Sequence, residues 1–519
     1  SSAVTPTQAA PYHTPITLVI ASHTATCEGM TSQRGSNVAV SATQAVENVG
    51  FGPAQLLVLF LGQGGMSFCD GAEIVALSVV RDAISAQFDL GSNERAMLMT
   101  LVSVGMLVGT VSVGHVGDSF GRRLPTMASY LIIAIWGFLS AAAPNYTCLL
   151  LFRVLLGVGI GFGTPPSIIL LSEMTPEHWR MRMRASSYGF WNAGGIYAAL
   201  MAAVTLGPNL DGSHWRLFLV ACNIPMFFFL CMSKLIPESP VFLANSGRVS
   251  EAQHVLTWMK DFNRAHLANA DCCSGANRVE DADKGESDPR GCMRNLGVIF
   301  SRRHWWTTVV IAYACFCINI VSWGYSWIGP YAMKEVSNSG EALPAAWSMI
   351  ISNCVAFAII IGLCLIADLL SRRSAAQLSL LVSATAASSF ALGAGHSAHW
   401  PMLLDVLYWY GINGQSVAST LGYMVIFQVA VEIYPTKAAA TGSSFVGGCG
   451  RAGALLAPII VENVMAALGS WTYSMYMLSA LSAVGLLLMA FVSPLTPYEP
   501  AAGGIGGHDS YGSIAEKAH

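Results

Sequence analysis

Long apolar runs recur along most of this 519-residue chain, and they constrain its fold more than any other feature. About 20 apolar residues suffice for one helical crossing of a bilayer core roughly 30 Å thick. Only 11% of the residues are charged, whereas soluble domains carry about 25%. Gly, Ser and Pro lie inside the runs, where membrane helices tolerate them because small residues allow close packing. The sequence therefore predicts an all-α, multi-pass membrane protein.

The apolar runs form two groups of six. The predicted transmembrane helices span residues 54–80, 95–117, 124–143, 147–171, 184–206 and 215–235, and then 305–333, 344–367, 374–397, 401–431, 438–463 and 470–493. The polar segments predict a flexible tail (1–50), an N-terminal bundle (51–236), a linker (237–304), a C-terminal bundle (305–494) and a second flexible tail (495–519). We expect twelve transmembrane helices in two pseudo-symmetric six-helix bundles.

The basic residues of the loops predict the orientation, because Lys and Arg accumulate on the cytoplasmic side of membrane proteins. One side of the predicted topology receives only Arg81, Arg95, Arg216 and Lys334, and the other side receives far more. Both tails and the linker are therefore expected in the cytoplasm, with the protein in the plasma membrane or an intracellular vesicle membrane. A glycosylation sequon at Asn145 and a tyrosine-based sorting pattern at Tyr511 are too short to support a conclusion.

An acid followed by an arginine pair occurs once in each predicted half. Each copy follows an apolar run of helix length, and a Glu–x–x–Pro element recurs at a similar spacing. The repeated residues are Asp118, Arg122, Arg123 and Glu173 in the first half and Asp368, Arg372, Arg373 and Glu432 in the second. Parallel six-helix halves with a site between them are a transporter architecture.

Four motifs together resemble those of one transporter superfamily. They are the doubled acid-and-arginine motif, Arg153-Val-Leu-Leu-Gly-Val-Gly-Ile-Gly161, Pro237-Glu-Ser-Pro240 and Glu432-Ile-Tyr-Pro-Thr436. Through them the chain resembles the major facilitator superfamily over residues 50–495. Asp70-Gly-Ala-Glu73 and Gly450-Arg-Ala-Gly-Ala454 are similar to its synaptic-vesicle-related and organic-ion and aromatic-acid proton symporter branches.

The resemblance implies that the repeated charges form a cytoplasmic latch that braces the two halves. Charge pairs at a membrane surface are individually modest, which suits contacts that must open. The second copy departs from the family pattern, because Ser371 replaces the Gly121 of the first copy. The alternative is that the arginine pairs only set the topology. The predicted latch residues are Asp118, Arg122 and Arg123, Glu173 with Arg180, Asp368 with Arg372 and Arg373, and Glu432.

Asp70 and Glu73 are the strongest functional candidates. Their spacing places both carboxylates on one helix face, inside the first predicted span, where a charge must face a cavity or a partner. Burial and mutual repulsion favour the protonated form of at least one of them, which suits reversible proton binding. They could couple protons or recognise a cationic solute. The alternative is a structural pair that bonds to Arg153 or to neighbouring backbone.

Arg153 and Arg451 are permanent positive charges inside predicted spans. Arg153 could hold Asp70 or Glu73, or bind a substrate carboxylate through its planar fork. A structural arginine that bonds to loop carbonyls is the alternative. Arg451 lies in a glycine-rich stretch, which predicts close helix packing first and substrate contact second.

Aromatic and amide residues in the seventh and tenth spans are candidate cavity residues. The family architecture places spans one, four, seven and ten around a central cavity, and aromatic rings with sparse amides suit a small organic solute. Anchoring of the rings at the membrane interface is the alternative. The candidates are Trp323, Tyr325, Trp327, Tyr408, Asn413 and Gln415.

These features predict a secondary active transporter that moves a small organic ion, carboxylate or sugar-like solute by alternating access with proton coupling. Two alternatives stay open: a facilitative uniporter of a sugar-like solute, and a non-transporting receptor or scaffold with the same fold. The sequence contains no phosphate-binding loop, nucleophile elbow or metal-ligand cluster, so we expect no catalytic residue, cofactor or metal. The expected partners are the solute, protons and the bilayer, without nucleic acid, and the chain is expected to be a monomer.

Overall fold

The computed structural model describes residues 42–210, 214–266, 297, 299–301, 305–338, 343–366, 371–394, 401–433 and 436–491. The regular secondary structure of these residues is helical. A short helix, α1 (Ala42–Val49), precedes the first apolar run and meets it at 111°.

The N-terminal bundle contains six long helices in chain order. The first starts as α2 (Pro53–Val58), passes through a π-helical segment (Leu59–Gly64) and continues as α3 (Gly65–Phe88). The Tyr130 hydroxyl donates to the carbonyl oxygens of Leu61 and Gly62 at 2.7 and 3.0 Å, which supports the widened turn. The other five are α4 (Ser92–Phe120), α5 (Arg123–Ala141), α6 (Tyr146–Met174), α7 (Glu177–Thr205) and α8 (Trp215–Met232).

The linker contributes two short helices, and the C-terminal bundle contributes six long ones. Helices α1, α9 and α10 share a small apolar cluster that includes Val46, Phe242 and Leu256. The Asn263 side chain of α10 accepts the Ala54 N–H at 2.9 Å, so the linker is docked against the start of the first long helix. The linker and C-terminal helices are α9 (Pro240–Asn245), α10 (Val249–His266), α11 (Trp305–Asn338), α12 (Ala345–Ile366), α13 (Arg372–Gly393), α14 (Pro401–Glu432), α15 (Thr436–Leu468) and α16 (Trp471–Ala490).

The long helices satisfy the requirements of a membrane protein. Within the described ranges, nine helices are long and apolar enough to cross a bilayer, and the bent pair of α1 with α2–α3 makes a tenth. Helices α7 and α14 are long as well and pack within the same bundles. The order and number of long helices confirm the predicted all-α, twelve-helix architecture.

The two bundles repeat the same internal contacts. In the first bundle α3 packs on α7, and α5 packs on α6 and α8; in the second, α11 packs on α15, and α13 packs on α14 and α16. The bundles meet through α3 with α11, α4 with α15 and α7 with α12. The internal duplication predicted from the charged motifs is therefore present in the packing.

The predicted loop position of Arg81 is wrong. Helix α3 continues to Phe88, and Arg81 is a buried residue within it. The helix ends at Asp89, whose φ is 54°, and the Glu94 carboxylate then accepts the Gly91 N–H at 2.8 Å to start α4. Hydropathy ends the span too early because the charge of Arg81 is neutralised inside the protein, which a local average cannot register.

Glycines of the Arg153–Gly161 motif bring α6 against the backbone of α4. A Cβ atom on Gly157 would overlap the carbonyl oxygen of Val102, and one on Gly161 would overlap that of Met106. Small residues that allow backbones to approach this closely are typical of membrane helix packing. The glycine spacing therefore determines how α4 and α6 cross.

Gly161→Ala is expected to destabilise the protein by about 1–3 kcal/mol, because the added methyl group forces the packed backbones apart. Gly362→Ala is the matched control, since a Cβ there meets no atom within 4 Å. Apparent melting temperatures of the two purified variants in detergent measure the difference. Equal melting temperatures for the two variants would contradict the packing role of Gly161.

Candidate functional site

A buried ion pair joins α3 to α6. Arg153 Nη1 donates to Glu73 Oε2 at 2.9 Å, and the two side chains are 1% and 3% exposed. The sequence predicts a functional charge at each position and leaves open that the two bond to each other. Glu73 Oε1 and Arg153 Nε and Nη2 have no hydrogen-bond partner among the described residues. The pair is thus charge-balanced and keeps polar atoms for a further contact.

Asp70 lies one turn before Glu73 and interacts with two other helices. Its carboxylate faces the Trp191 side chain of α7 and interacts electrostatically with Arg451 of α15. Asp70 Oδ1 is buried and has no hydrogen-bond partner in the described part of the chain. Because α3 and α15 belong to different bundles, Asp70 and Arg451 place opposite charges across the interface of the halves.

Two aromatic rings meet across the same interface. Tyr188 of α7 and Tyr423 of α14 stack with their ring centroids 6.1 Å apart. The Tyr423 hydroxyl donates to Asn319 Oδ1 of α11 at 3.1 Å and lies within the electrostatic influence of Arg451. We call this group the central site. It consists of Asp70, Trp191 and Tyr188 from the N-terminal bundle and Tyr423 and Arg451 from the C-terminal bundle.

The predicted aromatic cavity residues of α11 and α14 pack inside the C-terminal bundle. Tyr325 and Tyr408 each contact the Phe390 ring of α13, with centroid distances of 5.8 and 5.6 Å. Trp323 is buried. These contacts are those of a packed interior, and direct solute contact by the three rings stays a prediction.

The remaining predicted cavity residues have separate environments. Asn413 donates to the carbonyl one turn earlier in its own helix at 2.8 Å. Gln415 is buried with Nε2 3.4 Å from Ser383 Oγ. Trp327 donates to Glu462 Oε1 at 2.9 Å, and its ring centroid lies 5.6 Å from the Arg81 guanidinium of the other bundle. For these residues, too, solute contact stays a prediction.

The first copy of the predicted latch forms a compact network around α6 and the linker. Arg122 Nη2 is 3.5 Å from Glu173 Oε1. The Glu238 carboxylate accepts the backbone N–H groups of Arg122 and Arg123 at 2.9 and 3.2 Å. Arg180, which the sequence pairs with Glu173, donates to carbonyls at the end of α6 at 3.0 and 3.1 Å. These contacts all lie within the N-terminal bundle and linker.

The second copy is described only in part. Ser371 caps α13 by accepting the Ser374 N–H at 3.2 Å. Arg373 donates to the Ala490 carbonyl at 2.8 Å, and Arg372 begins the helix. Three predicted latch groups lie outside the described residues: the side chains of Asp118 and Glu432, and the whole of Asp368.

Sequence reasoning missed two charged residues that the structure makes prominent. Glu238 lies in the recognised Pro-Glu-Ser-Pro motif, but the motif alone does not show that its carboxylate binds the latch loop. Glu462 lies inside the predicted span 438–463, and an ionisable residue within a membrane span is a functional candidate by default. That rule alone was sufficient to single out Glu462.

The chemistry of these groups is recognition and movement of a solute. Opposite charges and aromatic rings from both bundles converge within the membrane-spanning helices, and no cluster of three metal-ligating side chains occurs in the residues that the structure describes. Two parallel six-helix halves with paired charges at their interface define the class as a membrane transporter of small solutes.

The family follows from the sequence comparison. The profile of the sugar (and other) transporter family matches residues 70–499. The chain belongs to this family, and the predicted membership of the major facilitator superfamily is confirmed.

Individual relatives share the sequence and the fold. The chain is 31% identical over 269 residues to the putative transporter svop-1 of Caenorhabditis elegans. The aligned segment covers 51% of this chain and only about half, 49%, of that relative. It is 25% identical over 461 residues to organic cation/carnitine transporter 7 of Arabidopsis thaliana. This alignment covers 83% of this chain and 89% of that relative. The proton:xylose symporter XylE from E. coli matches with a TM-score of 0.60 and 15% identity over 87% of this chain and 97% of that one. At this identity the likeness shows the fold alone.

Arg153→Met is expected to destabilise the protein by about 3–5 kcal/mol, because it leaves the Glu73 carboxylate buried without its counter-charge. The double variant Glu73→Gln/Arg153→Met removes both charges and is expected to recover much of that loss. Apparent melting temperatures of the purified variants provide the measurement. If the double variant melts as low as the single one, the pair does not act as a charge-balanced unit.

Proposed function

We propose that this protein is a secondary active transporter that moves a small organic ion by alternating access, with Asp70 as the proton-coupling group. The observation that carries the proposal is the Asp70 carboxylate on α3, whose buried Oδ1 has no hydrogen-bond partner among the described residues and whose helix contacts α11 of the other bundle. A charge inside the membrane is costly and is kept where it faces a partner or a cavity. A carboxylate at the moving interface must change its surroundings whenever the halves rock.

The ion pair of Glu73 and Arg153 has a fixed role next to Asp70. Glu73 and Arg153 belong to the same bundle and hold each other at 2.9 Å, so they travel together. Glu73 Oε1 and Arg153 Nη2 have no hydrogen-bond partner among the described residues, which supports polar contact with the solute or with Asp70. We assign Glu73 and Arg153 to shaping the site and Asp70 to titration.

The central site favours a solute that carries ionic groups. Arg451 suits a carboxylate, and Asp70 with the rings of Trp191, Tyr188 and Tyr423 suits a cationic group, because ring faces attract cations. The name of the related organic cation/carnitine transporter 7 is consistent with this choice. An uncharged sugar would leave the charges of Asp70 and Arg451 without a role in recognition.

The latch contacts of the first copy keep the linker and the N-terminal bundle together as one unit. In the proposed orientation Arg122, Glu173 and Glu238 lie on the cytoplasmic face, where partly exposed charge pairs are individually weak. Glu238 holds the loop between α4 and α5, so the linker moves with the N-terminal bundle. Both tails are proposed to be cytoplasmic in a plasma or vesicle membrane.

Asp70→Asn is expected to abolish solute accumulation driven by a pH gradient, because the amide cannot carry a proton. Exchange of internal for external solute is expected to survive, since exchange needs no net proton movement. The measurement is uptake of radiolabelled carnitine by proteoliposomes with and without an imposed pH gradient, and radiolabelled xylose tests the sugar-like alternative. Asp261→Asn, which changes an exposed linker carboxylate, is the matched control.

Each alternative function has its own outcome in this assay. An Asp70→Asn variant with unchanged pH dependence would overturn the coupling role. Xylose uptake by the parent protein that ignores the pH gradient would indicate a uniporter. Absence of flux for either solute would favour a receptor or scaffold.

A further inference from the structure

A second buried ion cluster lies away from the central site, near the end of α3. Arg81 Nη1 donates to Oε1 of Glu462 on α15 at 3.0 Å. Arg95 of α4 places its Nε 3.5 Å from Oε2 of the same carboxylate. The Trp327 indole of α11 donates to Glu462 Oε1 at 2.9 Å. Three side chains from three helices therefore converge on one carboxylate.

The cluster is shielded from water and balanced in charge. The side chains of Glu462 and Arg81 are 0% and 2% exposed, and that of Arg95 is 26% exposed. Arg81 also contacts Asp82 at 3.1 Å and lies 4.4 Å from the ring centroid of Tyr331. A buried carboxylate of this kind is stable only while its partners stay in place.

The cluster joins the two halves of the protein. Its guanidinium groups belong to the N-terminal bundle, and its carboxylate and indole belong to the C-terminal bundle. We call the end of the bundle that holds Asp89–Gly91 the first-loop face. Two further contacts between the halves close this face: Lys334 Nζ donates to the Leu210 carbonyl at 2.9 Å, and the Ala346 N–H donates to the Pro208 carbonyl at 3.1 Å.

The opposite face holds Gly121–Arg122. Toward it, the contacts between the halves include apolar packing. Ala185 of α7 packs against Met424 of α14 there, next to the stacked tyrosines of the central site. Apolar contacts of this kind lack the directional, charge-specific hold of an ion pair. The first-loop face thus has a specific lock built on one carboxylate.

We propose that Glu462 is a gating residue, and that its pairing with Arg81 and Arg95 holds the first-loop face closed and must break in each transport cycle. The proposal deepens the proposed function, because a gate of this kind requires halves that rock. It assigns to Glu462 control over which face opens, separate from solute and proton binding at the central site.

The physical basis is that the free energy of the Glu462 and Arg81 charges differs between the closed and the open state. In the closed state Coulomb attraction compensates for the loss of hydration. In an open state water reaches Glu462 and Arg81 and replaces their partners. Replacing the carboxylate by an amide removes the counter-charge that the buried Arg81 and the partly exposed Arg95 share in the closed state, and it costs much less where water reaches these groups. The change therefore favours the open state.

Thr100 provides a reporter position beneath the gate. It is buried on α4, beyond Arg95, and its hydroxyl lies 3.4 Å from the Leu455 carbonyl of α15. With a rise of 1.5 Å per residue, this contact lies roughly 7–10 Å deeper than the ion cluster. A cysteine at Thr100 is therefore reached by a water-soluble reagent from the first-loop face only when the gate opens.

The experiment measures the labelling rate of Thr100→Cys by a charged maleimide in lipid nanodiscs, where both faces are accessible. Protein without this substitution gives the background from native cysteines. Glu462→Gln is expected to raise the rate at least fivefold. Asp405→Asn is the matched control, since Asp405 is an exposed carboxylate near the start of α14 at the same face, and it is expected to leave the rate unchanged. Ala185→Cys reports on the opposite face and is expected to label no faster with Glu462→Gln.

Unchanged labelling at Thr100 in Glu462→Gln would overturn the gate. Faster labelling at both reporter positions would also overturn it, because that result indicates general loosening. Should Glu462→Gln fail to fold, Trp327→Phe decides: removing one donor is expected to raise labelling about twofold, and an unchanged rate would overturn the proposal. Labelling does not require transport. If Glu462→Gln raises the labelling rate but the protein shows no solute flux, the result contradicts the proposed function and not the gate.

Discussion

Charge neutralisation inside the membrane is the constraint on which the rest of this structure depends. A charged side chain in the bilayer core is costly unless a partner or a cavity receives it. The pair of Glu73 with Arg153 meets this requirement within one bundle, and Arg81 with Glu462 meets it between the bundles. The two arrangements have different effects on the movement of the bundles. A pair within a bundle strengthens one rigid unit, whereas a pair between bundles lasts only as long as the two units stay in one arrangement.

The packing separates rigid contacts from contacts that can change. Within the N-terminal bundle, Gly157 and Gly161 let the backbones of α4 and α6 touch, and such backbone contact leaves little room for sliding. Between the bundles, the described contacts include side-chain ion pairs, hydrogen bonds to carbonyls and a stacked tyrosine pair. Contacts of that kind can be exchanged for water or a solute. Two stiff halves with an exchangeable interface are what alternating access requires.

Charges are distributed along the protein in three levels with different roles. Arg122, Glu173 and Glu238 bind the loop between α4 and α5 to the linker at one face. The central site holds Asp70 of one bundle and Arg451 of the other. At the other face, the Glu462 carboxylate of α15 pairs with Arg81 of the other half. A solute that passes through the protein would meet each level in turn, which gives the proposed gate and the proposed coupling site separate places on one path.

Hydropathy, spacing and motifs can be recognised in the amino-acid sequence, and they predict the twelve long helices, their duplication and the candidate charges Asp70, Glu73, Arg153 and Arg451. The tertiary structure decided the partners. It joined Glu73 to Arg153, paired Glu173 with Arg122, and placed the predicted cavity residue Trp327 against Glu462. The physical reason is separation along the chain: Arg81 and Glu462 lie 381 positions apart, and only the folded interface of the two halves brings their charges within 3.0 Å.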